Sequence, residues 1–309
     1  MIKIDLITGF LGSGKTTFLK RYARYLMAKG EKIAIIENDY GAINVDMMLL
    51  QDVMNEGVTL EMIAGGCDYE THKRRFKTKL IAMGMMGFDR VLIEPSGIYD
   101  VDEFFDALYE SPLDRWYEIG NVIAIVDARL EDHLSKASDY LLVSQICDAG
   151  LVVLSHVQEA TKKDIEHTIA HINKAMKMFQ CTRQFDQDVL SVDWSKMSED
   201  EYKRIINAGY RVEDHIKMMI DEDNGYSSLY FLNVHLDESQ LVKRVQALMK
   251  DETCGHIIRV KGFMKKDAGW MEINATHDTT DVHPIDNGQE VIIVIGEDLD
   301  QNQIGHYFK

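Results

Sequence analysis

Between residues 9 and 16 the chain reads Gly9-Phe10-Leu11-Gly12-Ser13-Gly14-Lys15-Thr16, the Walker A spacing. Glycines let a chain turn tightly and bring its N–H groups onto phosphate oxygens. A helix starting here adds the positive end of its dipole. Gly12, Ser13, Gly14, Lys15, Thr16 and Thr17 are therefore expected to hold the phosphates of a nucleotide. Lys15 would supply a positive charge to the β- and γ-phosphates, and the Thr16 hydroxyl would bind Mg²⁺. A second chemical position is Glu94 in the run RVLIEPSG, where a strand can deliver a Walker B carboxylate towards the phosphates. Gly97 follows, with an N–H that could sense a γ-phosphate. A third is Glu37-Asn38-Asp39, the polar end of KIAIIEND. Asp39 or Glu37 could reach Mg²⁺ there, and a polar turn bending at Gly41 is the plain alternative.

These residues need a scaffold that brings strand ends to one edge. Runs 2–8, 32–38, 90–94, 121–128 and 150–154 are nearly continuous in apolar residues, as strands buried on both faces tend to be. Helical patterns lie between them, with TTFLKRYARYLMAKG following the glycine segment and Gly30 as its stop signal. The alternation predicts an α/β fold, a P-loop NTPase with a mostly parallel sheet flanked by helices. After about residue 182 the pattern changes. Residues 184–204 read as polar and irregular, and DEDNGYSS (221–228) as a linker or exposed turn. Strands then dominate, with one helix among them. The expected division is a nucleotide-binding domain over 1–222 and a smaller α+β domain over 223–309.

The chain has 309 residues and a formal net charge of −17. So acidic a surface disfavours nucleic acid and anionic membranes as partners. Cys67, Cys147, Cys181 and Cys254 form no CxxC pair, which argues for a reducing compartment. The first apolar run is too short for a signal peptide, and no run is long enough to span a bilayer. A soluble, cytoplasmic protein is expected.

Taken in order, TGFLGSGKTT, IENDYGAINVD, AGGCDYE, VLIEPSG and AIVDA resemble the CobW/HypB/UreG family of P-loop GTPases, most closely its CobW branch. IIRVKGFM and VIIVIGEDLD look like the CobW C-terminal domain. The resemblance implies a chaperone or insertion switch for a metal or a cofactor, a cobalamin or corrinoid among the candidates, driven by Mg²⁺-dependent GTP hydrolysis. GTP and GDP would be its nucleotides and a metalloprotein or cofactor-dependent protein its client. Carried over, Thr16 and Glu94 would serve Mg²⁺, and residues 37–46 and 94–100 would be switch segments. Turnover is expected to be slow until a partner, or a nucleotide-dependent homodimer, completes the site.

Two departures from the family pattern carry weight. The usual Cys-x-Cys-Cys reads Cys67-Asp68-Tyr69-Glu70, so one thiolate remains for a transition metal, with Glu70 and His72 to complete a mixed site. A small buried cysteine is the alternative. The usual Asn-Lys-x-Asp reads Ser155-His156-Val157-Gln158, and a Gln158 amide accepts only part of what a guanine edge donates. Glu159 is one residue on. GTP is read as the substrate, with ATP or mixed use as the alternative.

Elsewhere, His167 and His171 stand four apart and read as a solvated helix face. His277, Asp278, Asp281 and His283 read as a polar hairpin loop that could also ligate a borderline metal. Two rivals to the chaperone reading are an ATP-dependent small-molecule kinase, with Arg74, Arg75 and Arg90 as lid candidates, and a nucleotide-binding adaptor that hydrolyses little.

Overall fold

A computed structural model describes residues 1–10, 12–39, 50–64, 69–97, 101–131, 134–218, 226–266, 269–277, 279–285, 288 and 290–309. The chain divides into two compact units, Met1–Met218 and Met219–Lys309.

In the first unit, β1 (Ile2–Gly9) leads through the glycine segment into α1 (Lys15–Ala28). Helix α1 buries Phe18, Leu19, Tyr22, Ala23 and Leu26, a spacing that keeps one face on the sheet. It ends as the sequence predicts. Gly30 adopts φ 88°, its N–H donates to Met27 O and that of Glu31 to Leu26 O, a Schellman motif. There follow β2 (Ile33–Asp39), α2 (Gln51–Asn55), β3 (Thr59–Ala64), α3 (Tyr69–Gly84), β4 (Arg90–Pro95), α4 (Val101–Leu108) and α5 (Leu113–Trp116). The unit continues with β5 (Tyr117–Asp127), α6 (Lys136–Ile146), β6 (Leu151–Ser155), α7 (Lys162–Met178), β7 (Val189–Leu190) and α8 (Glu199–Ile206).

The seven strands form one parallel sheet in the order β3-β2-β4-β1-β5-β6-β7. Parallel pairing puts all the strand carboxyl ends on one edge, where open α/β sheets bind ligands. The sequence patterning finds the five inner strands and misses both outer ones. Strand β3 is covered only in part, and its Thr59-Leu-Glu-Met pattern lacks the continuous apolar signal. Strand β7 has two residues, too few to show a period. The segment read as irregular over 184–204 contains β7, a 3₁₀ turn at Trp194–Lys196 and the start of α8.

A buried ionic cluster ties the inner strands together. Asp5, fully buried in β1, accepts from Tyr22 Oη (2.7 Å), Arg90 Nη1 (2.7 Å) and Asn121 N (2.9 Å). Arg90 also donates through Nε to Glu31 at 2.8 Å. Arg90 opens β4 at the amino edge and is itself 2% exposed, so it is no lid residue, contrary to its place in the kinase reading.

The second unit holds a five-stranded antiparallel sheet in the order β11-β10-β9-β12-β8. Its strands are β8 (Tyr226–Leu232), β9 (His256–Lys266), β10 (Gly269–Ala275), β11 (Thr280–Ile285) and β12 (Val291–Glu297). Its helices are α9 (Glu238–Leu248) and α10 (Gln301–Tyr307). Leu241, Val245 and Ile304 from these helices join Val260, Ile273 and Val294 of the sheet in one core. Asp281 and His283 lie on edge strand β11, in register with Asn274 and Glu272, and not in the expected loop. Asp278 lies outside the described residues.

Removing one partner of a buried ion pair leaves the other charge uncompensated, so Arg90→Met should cost about 3–5 kcal/mol, read by urea unfolding. A loss below about 1 kcal/mol would show that Tyr22 and Asn121 satisfy Asp5 without it.

Candidate functional site

The glycine segment lies at the carboxyl edge of the central strand. Gly9 closes β1 with φ 141°, and a Cβ there would meet the Ile125 carbonyl oxygen at 2.2 Å, so only glycine fits beside β5. Buried Gln145 of α6 accepts from Gly9 N at 2.9 Å and from the Thr8 hydroxyl. This contact has almost no local signature. Its one signal is a glutamine in the apolar helix KASDYLLVSQI, where buried amides need partners.

Gly14 is the N-cap of α1 in the left-handed region, φ 90°. The first-turn amides of α1 thus open towards the sheet edge. Ser13 is buried, Gly12 and Thr16 are half-buried, and Thr17 is exposed. The Lys15 ammonium donates to Gly9 O at 3.0 Å and Phe10 O at 3.4 Å, resting on the loop's own carbonyls. Thr16 Oγ1 donates to Glu94 Oε1 at 2.8 Å. The two residues are 78 apart in sequence, and the fold brings them together.

Glu94 lies beside Glu37 in the β2–β4 register, and both are buried. Asn38 is buried next to them, and its carbonyl accepts from Ser96 N at 2.8 Å. Two carboxylates beside a hydroxyl make a set of hard oxygen donors suited to Mg²⁺. Asp39 ends β2, and its side chain lies outside the described residues, as do residues 40–46 and 98–100 of the two expected switch segments. Cys67 and Asp68 also lie outside them, and so does the side chain of Glu70. His72 is buried on α3, where burial and then the Arg75 charge hold its pKa below the usual histidine value.

On the other side of β1, Ser155 ends β6 and is buried, with Oγ donating to Val126 O at 3.4 Å. His156 takes a left-handed conformation, φ 51°, and places Nδ1 2.8 Å from Asp127 Oδ2. Asp127 Oδ1 accepts from Arg129 N at 2.8 Å. The hydrogen bond to Asp127 raises the His156 pKa against the opposing effect of burial. Burial pushes Asp127 upward, but the bonds from His156 and Arg129 outweigh it and hold the carboxyl below its ordinary value. Gln158 is exposed, and its Nε2 donates to Glu159 Oε1 at 3.3 Å. Arg129 Nη2 pairs with Glu159 at 3.1 Å. Asp127 lies in the AIVDA run, whose residue types alone assign it no role.

Other expected features resolve differently. His167 is exposed, but His171 is buried with Nε2 2.7 Å from Asp139 Oδ1, so the pair is not a solvated face. Cys147, Cys181 and Cys254 are buried free thiols. Among the described residues no group of three or more His, Cys, Asp or Glu is placed to hold a metal ion, and no helix is long and apolar enough to cross a membrane.

Two outcomes follow from this geometry. Gln145→Leu strands the buried Gly9 N–H and should cost about 1–3 kcal/mol in urea unfolding; no loss would mean that another acceptor takes its place. The His156–Asp127 contribution to stability depends on pH. The raised His156 value makes it full below the ordinary histidine pKa, and it fades as the pH climbs past that raised value. Asp127, held low, surrenders its share only in acid. The stability gap between wild type and His156→Asn should therefore be wider at about pH 6 than at about pH 9. A gap that widens towards high pH would refute the pairing.

Comparison with known proteins agrees with this arrangement. A family model described as CobW/HypB/UreG, nucleotide-binding domain, matches residues 3–183. The chain is 31% identical to the zinc chaperone YeiR of Escherichia coli over 52% of its own length and 48% of that protein. It is 26% identical to the zinc chaperone YjiA of the same organism, over 85% of this chain and 81% of that protein. The match to the zinc chaperone CobW of Pseudomonas aeruginosa is 30% identical and spans 41% of this chain and 36% of that protein. The chain thus spans about half or less of two of these relatives and most of the third. With a strand, a glycine cradle and a helix in sequence, a partnered threonine and glutamate, and a family match over more than half its length, the chain belongs to the CobW/HypB/UreG family of nucleotide-binding proteins.

Proposed function

We propose that this protein is a metal chaperone driven by Mg²⁺-dependent GTP hydrolysis. The observation that carries the reading is the Thr16–Glu94 hydrogen bond at 2.8 Å, next to a Walker A segment at the sheet's carboxyl edge. The amides of residues 12–17 would hold the phosphates. Lys15 would leave the carbonyls of Gly9 and Phe10 and turn its ammonium to the β- and γ-phosphates. That exchange replaces two neutral acceptors with phosphate oxygens, a stronger charge-assisted contact. Thr16 Oγ1 and Glu94 would hold Mg²⁺, with Asp39 at the same edge. The ion would offset charge on the transferring phosphoryl group.

Strands β2 and β4 connect this chemistry to the expected switch segments. The first begins within β2 at Glu37, and the second begins at Glu94 in β4. A change in contact at the γ-phosphate would reach both strand ends at once, a familiar way for a nucleotide to order or release a segment. The relatives' zinc role makes zinc the cargo of first choice, ahead of a corrinoid, with a metalloprotein as client. Cys67, which falls between β3 and α3 in the sequence, is the candidate thiolate. Ser155, His156 and Gln158 would flank the guanine, and a second copy or a client would complete the site for turnover.

The test is GTP hydrolysis, followed as phosphate release without any added acceptor. Lys15→Ala should lower kcat about 10²-fold or more. Equal rates for the variant and wild type would remove this mechanism, and phosphate release that requires a small-molecule acceptor would favour the kinase reading.

A further inference from the structure

The order of the strands dictates which way a bound nucleotide points. Strands β4 and β2 lie on one side of β1, and β5, β6 and β7 on the other. The Thr16–Glu94 pair is on the β4 side, so the γ-phosphate belongs there. The nucleoside must then leave the cradle towards the ends of β6 and β7. Ser155 and His156 stand at the end of β6. The end of β7 runs into Ser191-Val192-Asp193-Trp194, a segment without any distinctive sequence motif.

This turn is firmly built. The Asp193 carboxylate accepts from Ser195 N at 2.9 Å and from Ser195 Oγ at 2.7 Å, and caps the 3₁₀ turn that begins at Trp194. Arg21, reaching from α1, donates to the Trp194 carbonyl at 3.2 Å. The indole packs edge-on against Phe18, with ring centroids 5.5 Å apart and planes at 66°. A Cβ on Gly14 would lie 3.5 Å from Trp194 Cη2 and 3.6 Å from Ser155 Cβ. The indole and Ser155 therefore flank the glycine that starts the phosphate-binding helix. The Trp194 Nε1 atom is buried and has no hydrogen-bond partner among the described residues. A buried indole N–H normally finds an acceptor. Guanine carries two on one edge, O6 and N7.

We propose that Trp194 is a nucleoside-recognition residue: its indole walls the base pocket beside Gly14 and Ser155, and its Nε1–H donates to an acceptor on the purine. This rests on the nucleotide reading above and deepens it. It gives base recognition a donor that the exposed Gln158, turned to Glu159, does not supply.

Calorimetry with Mg²⁺ separates base from phosphate recognition, using GTP and inorganic tripolyphosphate on wild type, Trp194→Phe and Trp194→Ala. Stacking and hydrogen bonding on a base predict that Trp194→Ala loses GTP affinity about tenfold or more, while its affinity for tripolyphosphate moves less than about twofold. Trp194→Phe keeps an aromatic wall and loses the donor, so it should fall about three- to tenfold for GTP alone. GTP binding by Trp194→Ala within about twofold of wild type would overturn the assignment, as would an equal loss of tripolyphosphate, which marks a collapsed cradle. Full GTP affinity in Trp194→Phe would overturn the donor role. Wild type that binds neither probe would refute the nucleotide reading itself, whereas wild type that binds GTP leaves only the Trp194 assignment at stake.

Discussion

The contact between Gly9 and the Ile125 carbonyl constrains everything at the sheet's carboxyl edge. A Cβ at residue 9 would sit 2.2 Å from that oxygen, so the chain can leave β1 along this path only as glycine. The exit path then sets where Gly14 caps α1 and where the amides of the first turn point. Gln145 holds the same junction from a helix 136 residues away, so the start of the cradle is fastened on two sides. A loop that must match the spacing of phosphate oxygens benefits from such fixed ends, because little ordering entropy is left to lose when a ligand arrives.

The same edge divides by chemistry. Towards β4 and β2 it carries buried carboxylates and the Thr16 hydroxyl, hard oxygen atoms suited to a small cation. Towards β6 and β7 it carries Ser155, the His156–Asp127 pair and the Trp194 ring. The amino edge is different again, with Asp5, Arg90, Tyr22 and Asn121 locked in a buried cluster that faces away from the cradle. Stability and chemistry are thus kept at opposite ends of the strands.

The cradle was legible because its signal is local: strand, glycines, lysine and helix follow one another within thirty residues. Glu94 was legible because it ends a continuous apolar run. The misses share a cause, which is that sequence spacing does not show long-range partners. His171 reads as surface until Asp139, 32 residues earlier, is found against it. Arg90 reads as a mobile cation until Asp5 is placed beside it, 85 residues away. Trp194 sits in a polar stretch, and its closeness to Gly14 comes only from β7 lying next to β6. Strand β11 reads as a loop because its pattern Thr-Asp-Val-His-Pro-Ile is that of a half-exposed edge, held by pairing with β10.

The buried cysteines bear on how a chain of this family could carry a thiophilic ion without trapping it. Burial, and for Cys147 also the neighbouring Asp148, pushes the thiols of Cys147 and Cys181 above the usual thiol value, and burial with Asp251 pushes Cys254 up to about 11. Metals are captured by thiolate sulfur and not by the neutral thiol. Three of the four cysteines in the sequence are therefore held towards the neutral thiol, the form that competes least for such an ion.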